Sequence, residues 1–442
     1  MAKPIYISKI IKKFKKKIKV NGDKSLSIRW ALMASQAIGK SRAYNLLKSE
    51  DVLSTLNCLK KLGIKITFNN KYCEIKGNGI NSFIYKNNLT INAGNSGTLG
   101  RLILALLIKS PKKIKLIGDK SLSKRDFARV IDPLKKFGAI FYPKNKNTLP
   151  IYIKGSDFIR PINYFESKGS AQCKSSVMLA ALNAPGKTII KAKKSRNHTE
   201  ILFKNLKIPI KVKKTKNFDF IEIVGNQNFK SFNYNIPSDI SSSAFFIVLT
   251  LLSKKSSLII ENVNVNPSRI GIIKILNKMG ANIIFKNKKI YKGEPIADIF
   301  VKSSILLKPI NCPEQLNSSA IDEFLLIFLI AAKSKGVSYF KNLSELNQKE
   351  SPRLKLGSKI LNMIGIKTKL TNHSIKIYGQ PNLKPKKNYE VKNYLKDHRI
   401  FMMTTIMALT FGGNWKIYDP DSIKTSFPSF LKIVKSLGGK IK

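Results

Sequence analysis

Two carboxylates stand side by side in Ile321-Asp-Glu323, in a chain where acids are scarce: Asp and Glu number 25 against 81 Lys and Arg, for a net charge of +56. Lys349-Glu-Ser-Pro-Arg353 and Asp397-His-Arg399 again set an acid beside cations. A carboxylate buried among cations has a depressed pKa and is ionised, so Asp322 and Glu350 are candidate bases. Asp322 and Asp397 read alternatively as N-caps of the apolar helices that follow them. Elsewhere the chemistry is anion binding. Asn21-Gly-Asp-Lys-Ser-Leu-Ser-Ile-Arg29 packs a turn, a lysine, two serines and an arginine just ahead of an apolar helical run from Trp30 to Ile38. Backbone N–H groups at a helix start, with hydroxyls and cations beside them, suit a phosphate or carboxylate. Asn95-Ser-Gly-Thr-Leu-Gly-Arg101 adds Gly97, where a ligand approaches the backbone closely. Gly118-Asp-Lys-Ser-Leu-Ser-Lys-Arg125, Ser170-Ala-Gln172 and Ser195-Arg-Asn-His-Thr-Glu200 supply further hydroxyls, amides and cations.

The basic composition sharpens these choices. Lysines are spread through every segment together with abundant Ile and Asn, a pattern of codon bias rather than of a nucleic-acid-binding patch. Where lysine is the default cation, the surviving arginines (29, 42, 101, 125, 129, 160, 196, 269, 353 and 399) mark places that need a planar fork. Arg42, Arg160 and Arg269 lie outside the motifs and read as surface packing or pairing. Cys58, Cys73, Cys173 and Cys312 form no C-x-x-C pair, and with three histidines neither a metal centre nor a disulfide framework is indicated. Apolar runs such as Phe245–Leu252 and Phe324–Ala332 are short of a membrane span, and the N-terminus lacks a signal-peptide apolar block. The expectation is a cytoplasmic chain that needs no membrane and no nucleic acid. Gly39-Lys-Ser41 and Gly186-Lys-Thr188 mimic the end of a phosphate-binding loop, but Ala34 and Ala181 stand where its first glycine is required. Both read as turns after a helix.

These groups need scaffolding, and the chain supplies it six times. The phrase Lys/Asn-x-apolar-Gly closes a helix in Lys60–Gly63, Lys135–Gly138, Asn277–Gly280, Asn362–Gly365 and Lys435–Gly438, with Lys204–Lys207 as a glycine-free third copy. Apolar helices Ile28–Ile38, Leu99–Ile108, Ser175–Leu182, Ser243–Leu252, Asp322–Ala332 and His398–Thr410 open the same repeats. The unit is close to helix–strand–helix–strand–strand and returns every 70 to 85 residues or about that, which suits stacked supersecondary units sharing a core. Six copies split into two sets of three near Pro237–Ser241. The strand-like Pro4–Val20 pairs with the last repeat in this reading and brings both termini into one domain. The predicted domains are residues 21–240 and residues 1–20 with 241–442. The polar phrases recur at helix N-termini in both halves, as expected for a dianionic ligand held in an interdomain cleft.

Together these motifs resemble the 3-phosphoshikimate 1-carboxyvinyltransferase (EPSP synthase) family over essentially the whole chain. The resemblance rests on Gly22-Asp-Lys-Ser-x-Ser-x-Arg29, Asn95–Thr98, Lys349–Arg353, Asp397–Arg399 and Ser426-Phe-Pro428. Ser170–Gln172, Ser195-Arg196 and Ile321–Glu323 are similar to the branch that reads Ser-Ala-Gln and Ile-Asp-Glu at those places. It implies an α/β fold of two domains, each of three βαβαββ units around a pseudo-threefold axis, forming an inside-out α/β barrel. The implied reaction moves the enolpyruvyl group of phosphoenolpyruvate onto the 5-hydroxyl of shikimate 3-phosphate and releases phosphate. By the resemblance Lys24, Ser25, Arg29, Ser170, Gln172, Arg196, Asp322 and Lys349 hold shikimate 3-phosphate. Lys24, Gly97, Arg125, Gln172, Arg353 and Arg399 hold phosphoenolpyruvate. Asp322 takes the hydroxyl proton, Glu350 or Lys24 manages the proton at C3, and domain closure excludes water. No cofactor or metal is implied, the partners are the two small anions, and the expected state is a monomer. The sequence departs from the family at Asn21, Asp126 and Pro352, and Thr425 separates Lys424 from Ser426. The alternatives are the related transferase acting on UDP-N-acetylglucosamine and an RNA-binding or RNA-end-processing protein.

Overall fold

The computed structural model describes residues 3–304 and 307–442; residues 1, 2, 305 and 306 of the predicted domains lie outside the described residues. The chain forms two compact units. One comprises Gly22–Ile236 with Tyr291–Glu294, the other Met1–Asn21, Pro237–Ile290 and Pro295–Lys442. They are called here the first-half and second-half units.

Each repeat builds a small sheet against two helices, mixed in five of them; in the fifth, strands Gly336–Phe340, Ile375–Gly379 and Thr368–Leu370 pair antiparallel, and the parallel partner is reduced to an Asn311–Tyr339 bridge. In the first-half unit, strand Leu89–Asn92 runs parallel to Ile114–Ile117, and antiparallel strands Ile151–Lys154 and Ile140–Tyr142 complete that sheet. Asn163–Glu166, Lys187–Lys193, Phe218–Val224 and Ile210–Lys214 repeat the order. The first repeat obtains its parallel strand from Tyr234–Asn235, at the far end of the unit. The second-half unit is permuted in a related way. Lys15–Ile18 pairs parallel with Ser257–Ile260 in the fourth repeat, while Ile5–Ile7 pairs antiparallel with Asn414–Ile417 in the last. The expected N-terminal segment is therefore divided between two sheets rather than given to the last alone. The architecture is the predicted one of βαβαββ repeats, three to a unit.

Alternation decides where the lysines go. In Lys187–Lys193, Thr188, Ile190 and Ala192 are buried while the lysines face outward. One solvated face per antiparallel-edged sheet is what period-two strands allow. Lys191 lies over Phe165 and Phe218, its ammonium 5.3 and 4.9 Å from the ring centroids. Long stems covering apolar surface while their charge stays wet accommodate much of the chain's excess lysine.

The first helices of the repeats are buried along most of their length and fill the interiors. Ile240–Leu252 is buried along all but its last residue, and Phe324–Lys333 along all but its last. Most begin earlier than apolar periodicity indicates: Lys24–Gln36, Gly97–Leu106, Ala171–Ala181 and Ile240–Leu252. The cause is side-chain capping. Asp23, Ser96, Ser170 and Asp239 accept N–H bonds from the first turn, so polar residues enter the helix ahead of the apolar run. Residue 38, read as helical, instead opens strand Ile38–Tyr44, which also contains Gly39-Lys-Ser41; that segment is strand and not a turn. The glycine-free third repeat solves its closure with Lys207 itself, which takes φ +58°, where Gly63, Gly138, Gly280, Gly365 and Gly438 take φ between +86° and +117°. Among the described residues no helix is long and apolar enough to cross a membrane.

Candidate active site

In the first-half unit the opening motif is part of a helix, not the loop ahead of one. Asp23 caps it by accepting from Leu26 N–H at 2.9 Å, which sets Lys24 and Ser25 in the first turn and Arg29 one turn on. Lys24 Nζ lies 2.8 Å from Asp51 Oδ2. Arg29 is buried and donates through Nε to Thr199 Oγ1 (2.9 Å), through Nη2 to Ser175 Oγ (3.0 Å) and through Nη1 to the Ser25 carbonyl (3.3 Å). Ser175 and Thr199 bond each other at 2.7 Å. Ser170 caps helix Ala171–Ala181 by accepting from Cys173 N–H. Ser195 and Arg196 sit half-buried before helix His198–Asn205.

A second group in this unit surrounds Gly97. The Gln172 amide donates to Thr98 Oγ1 (3.1 Å) and accepts from Arg101 Nη1 (3.0 Å). Arg101 also donates to the Asp126 carbonyl, and its guanidinium stacks 5.0 Å from the Phe127 ring centroid. Burial lowers the Arg101 pKa, and neighbouring Arg125 and Arg129 lower it further, while Cys173 and Asp126 oppose them. Concentrated positive charge of this kind suits a phosphate. Sequence reasoning counted Arg101 among the rare arginines but gave it no role; that scarcity was the available signal. Asp126 accepts the Ala128 N–H through Oδ1, so its carboxylate is engaged at a helix start.

A Cβ at Gly97 would stand 2.9 Å from Arg101 Nη1 and 3.1 Å from Arg125 Nη1. Arg101 has little freedom to yield, being held by Gln172, Asp126 and Phe127. If Gly97 faces phosphoenolpyruvate as the resemblance implies, Gly97→Ala is expected to raise KM for that substrate and the inhibition constant of phosphonate analogues by about tenfold or more, roughly 1.4 kcal/mol. Steady-state inhibition kinetics check this; unchanged constants mean that Gly97 does not shape the site.

The second-half unit gathers the acids. Asp322 lies in the turn before helix Phe324–Lys333 and is not its cap; Glu323 occupies the cap position, with φ −107° and ψ 0°, and makes no capping bond. Asp322 Oδ1 lies 3.7 Å from Lys349 Nζ and 3.8 Å from Arg353 Nη1. Arg353, fully buried, turns its fork on Asp397, with Nε to Oδ2 at 2.8 Å and Nη2 to Oδ1 at 3.2 Å, and reaches Glu350 Oε2 at 2.5 Å. Burial opposes the charge of both partners. The Arg353 guanidinium nevertheless holds Asp397 below the usual carboxylate range, and Asp397 with Glu350 raises Arg353. Asp397 also accepts from Ser351 Oγ at 2.8 Å and caps helix His398–Phe411 through Arg399 N–H. Arg399 Nη1 donates to the Asp322 carbonyl (2.6 Å) and lies 3.6 Å from Glu323. The unit thus joins Asp322, Lys349, Glu350, Arg353 and Arg399 in one network. Arg269, read as a surface residue, is instead buried and donates to Ser241 (2.9 Å), which donates in turn to Glu323. An arginine between buried acceptors carries no apolar periodicity, so the sequence concealed it.

The departures from the family pattern have local explanations. Asn21 Oδ1 accepts from the Ser429 hydroxyl, and its carbonyl accepts from Asp239 N–H. Pro352 needs no N–H at a helix start, where its carbonyl accepts from Leu356 N–H at 2.9 Å. Lys424 is exposed, while Thr425 Oγ1 lies 3.3 Å from His398 Nδ1. Among the described residues no His/Cys/Asp/Glu group could hold a metal ion.

The family model of EPSP synthase (3-phosphoshikimate 1-carboxyvinyltransferase) matches residues 8–434. A 3-phosphoshikimate 1-carboxyvinyltransferase of Ruthia magnifica is 40% identical over 96% of this chain and 95% of its own length. That of Caldicellulosiruptor saccharolyticus is 37% identical, covering 97% and 98%. The solved EPSP synthase of Acinetobacter baumannii superposes with TM-score 0.87 at 34% identity, covering 100% of this chain and 99% of that one. The enolpyruvyl transferase NikO of Streptomyces tendae shares the fold alone, with TM-score 0.75 at 13% identity over 99% and 98%. On the match across both halves and the identity over nearly full length, the chain belongs to the EPSP synthase (3-phosphoshikimate 1-carboxyvinyltransferase) family.

Proposed function

We propose that the chain transfers the enolpyruvyl group of phosphoenolpyruvate to the 5-hydroxyl of shikimate 3-phosphate, releasing phosphate, a reaction between small anions of the cytoplasm. The observation that carries this reading is the network of Asp322 with Lys349, Arg353 and Arg399: a carboxylate off the helix cap, set among cations, in a chain of this family.

Lys24, Ser25, Arg29, Ser170, Gln172, Arg196, Asp322 and Lys349 bind shikimate 3-phosphate in this reading, and Lys24, Gly97, Arg125, Gln172, Arg353 and Arg399 bind phosphoenolpyruvate. Asp322 accepts the 5-hydroxyl proton as that oxygen bonds to C2, while C3 is protonated to a methyl group. Glu350 or Lys24 manages the C3 proton, giving it in the addition and taking it back in the elimination. The C2–O bond to phosphate breaks as the C3 proton is removed, the proton taken from the 5-hydroxyl by Asp322 passes to the departing phosphate, and arginine forks stabilise the resulting hydrogen phosphate dianion.

Phosphate release from phosphoenolpyruvate, measured with shikimate 3-phosphate and separately with UDP-N-acetylglucosamine, tests the reading. Turnover is expected with the first acceptor alone. Turnover confined to the sugar nucleotide overturns the choice of substrate, and no turnover with either overturns the activity.

A further inference from the structure

A buried ion pair lies beside the proposed shikimate 3-phosphate ligands and has no part in the chemistry above. Lys174 Nζ and Glu200 Oε1 are 2.6 Å apart, and both side chains are at most 5% exposed. Such a pair is seldom worth more than apolar residues of the same volume, because both charges lose their water. Its place in the chain points to another use. Lys174 follows Ser170 by one turn on helix Ala171–Ala181, and Gln172 lies between them. Glu200 stands in the first turn of helix His198–Asn205, one turn beyond Arg196.

The neighbouring residues form a second link of the same kind. Ser175, next to Lys174, bonds Thr199, next to Glu200, at 2.7 Å. Arg29, from helix Lys24–Gln36, donates to both hydroxyls. Two parallel cross-links thus join the start of one helix to the start of another, and an arginine from a third grips the link. Three segments that carry the proposed ligands Lys24, Ser25 and Arg29, Ser170 and Gln172, and Arg196 are tied within the first-half unit at this buried knot. The short Lys174–Glu200 contact adds a fixed cation–carboxylate geometry to the packing between these helices.

We propose that Lys174 and Glu200 are positioning residues, whose ion pair sets the spacing of the Ser170–Gln172 and Arg196 segments so that they converge on shikimate 3-phosphate. The pair touches neither substrate and acts through these ligands. The inference rests on the function proposed above.

The test is the double variant Lys174→Met/Glu200→Met in the full chain. It removes both charges at nearly constant volume, and replacement of a buried pair in this way is often neutral or stabilising. Its melting temperature is expected to stay within a few degrees of wild type, while the calorimetric Kd for shikimate 3-phosphate rises about tenfold or more, roughly 1.4 kcal/mol. KM for phosphoenolpyruvate is expected to rise less, since Gln172 is the single ligand of that substrate on these two segments. Glu200→Asp keeps both charges and shortens one arm by a methylene. It is expected to raise the same Kd severalfold, so the proposal remains testable if the double variant does not fold. An unchanged Kd in either folded variant, or an equal loss for both substrates, overturns the positioning role. A wild-type chain that binds no shikimate 3-phosphate overturns the proposed function and this inference with it, which separates the two failures.

Discussion

Asp322→Asn is expected to lower kcat by about 10²- to 10⁴-fold while the Kd for shikimate 3-phosphate changes by less than about tenfold. The asparagine keeps the size of the side chain and one acceptor oxygen but cannot take a proton. The structural part played by this position is retained, because Arg399 is held by the Asp322 backbone carbonyl and not by its carboxylate. Nor is a cap removed, since Asp322 precedes the cap position of helix Phe324–Lys333. Its carboxylate lies 3.7 Å from Lys349 Nζ and 3.8 Å from Arg353 Nη1, charge contacts that an amide of the same size weakens without emptying the position. Single-turnover rates and calorimetry on the same preparation separate the two quantities. A kcat within threefold or so of wild type would remove Asp322 from the role of general base. If binding fell as far as kcat, lost substrate holding and not lost proton transfer would account for the effect.

The scaffold was legible because its signals are local and repeated. A helix-closing glycine and an apolar helix recur six times with one exception, and even that exception, Lys207, adopts the same left-handed backbone. The helix starts were less legible. Asp23, Ser96 and Ser170 are ordinary polar residues in composition, and only their bonds to first-turn N–H groups show that the helix has already begun. The acid–cation phrases identified Asp322, Glu350, Arg353 and Asp397, but not that the Arg353 fork turns onto Asp397, a residue 44 positions away. Pairings of this sort are tertiary. The same limit hid the place of Arg269 and the bond between Arg101 and Gln172, which join segments that share no local pattern. Scarcity of arginine was the one compositional clue to them, because a lysine cannot supply a fork.

Arg353 carries the second large effect. Arg353→Ala is expected to lower stability by about 3–5 kcal/mol, because it leaves the buried Asp397 and the half-buried Glu350 without their shared counter-charge. Activity with phosphoenolpyruvate should fall by about 10²- to 10³-fold, as for loss of one donor to a developing anion. Arg353→Lys retains the charge but loses the paired Nε and Nη2 contacts, and is expected to recover part of the stability and little of the activity. The pH dependence identifies the cause. Asp397 is held below its ordinary value of 3.8, so its contribution to wild-type stability is fully present above that value and is lost as pH falls through the lower folded value. Without Arg353, burial and the Glu350 charge push the Asp397 carboxyl upward, opposed by His398 and by the hydrogen bonds from Ser351 and Arg399 N–H, so in the alanine variant protonation relieves the penalty at higher pH. The stability gap between wild type and Arg353→Ala should therefore be widest near neutral pH and narrow progressively as the solution is acidified. Urea unfolding at a series of pH values measures it. A gap that stays constant down to pH 3 or so would show that lost packing, and not the lost counter-charge, causes the destabilisation.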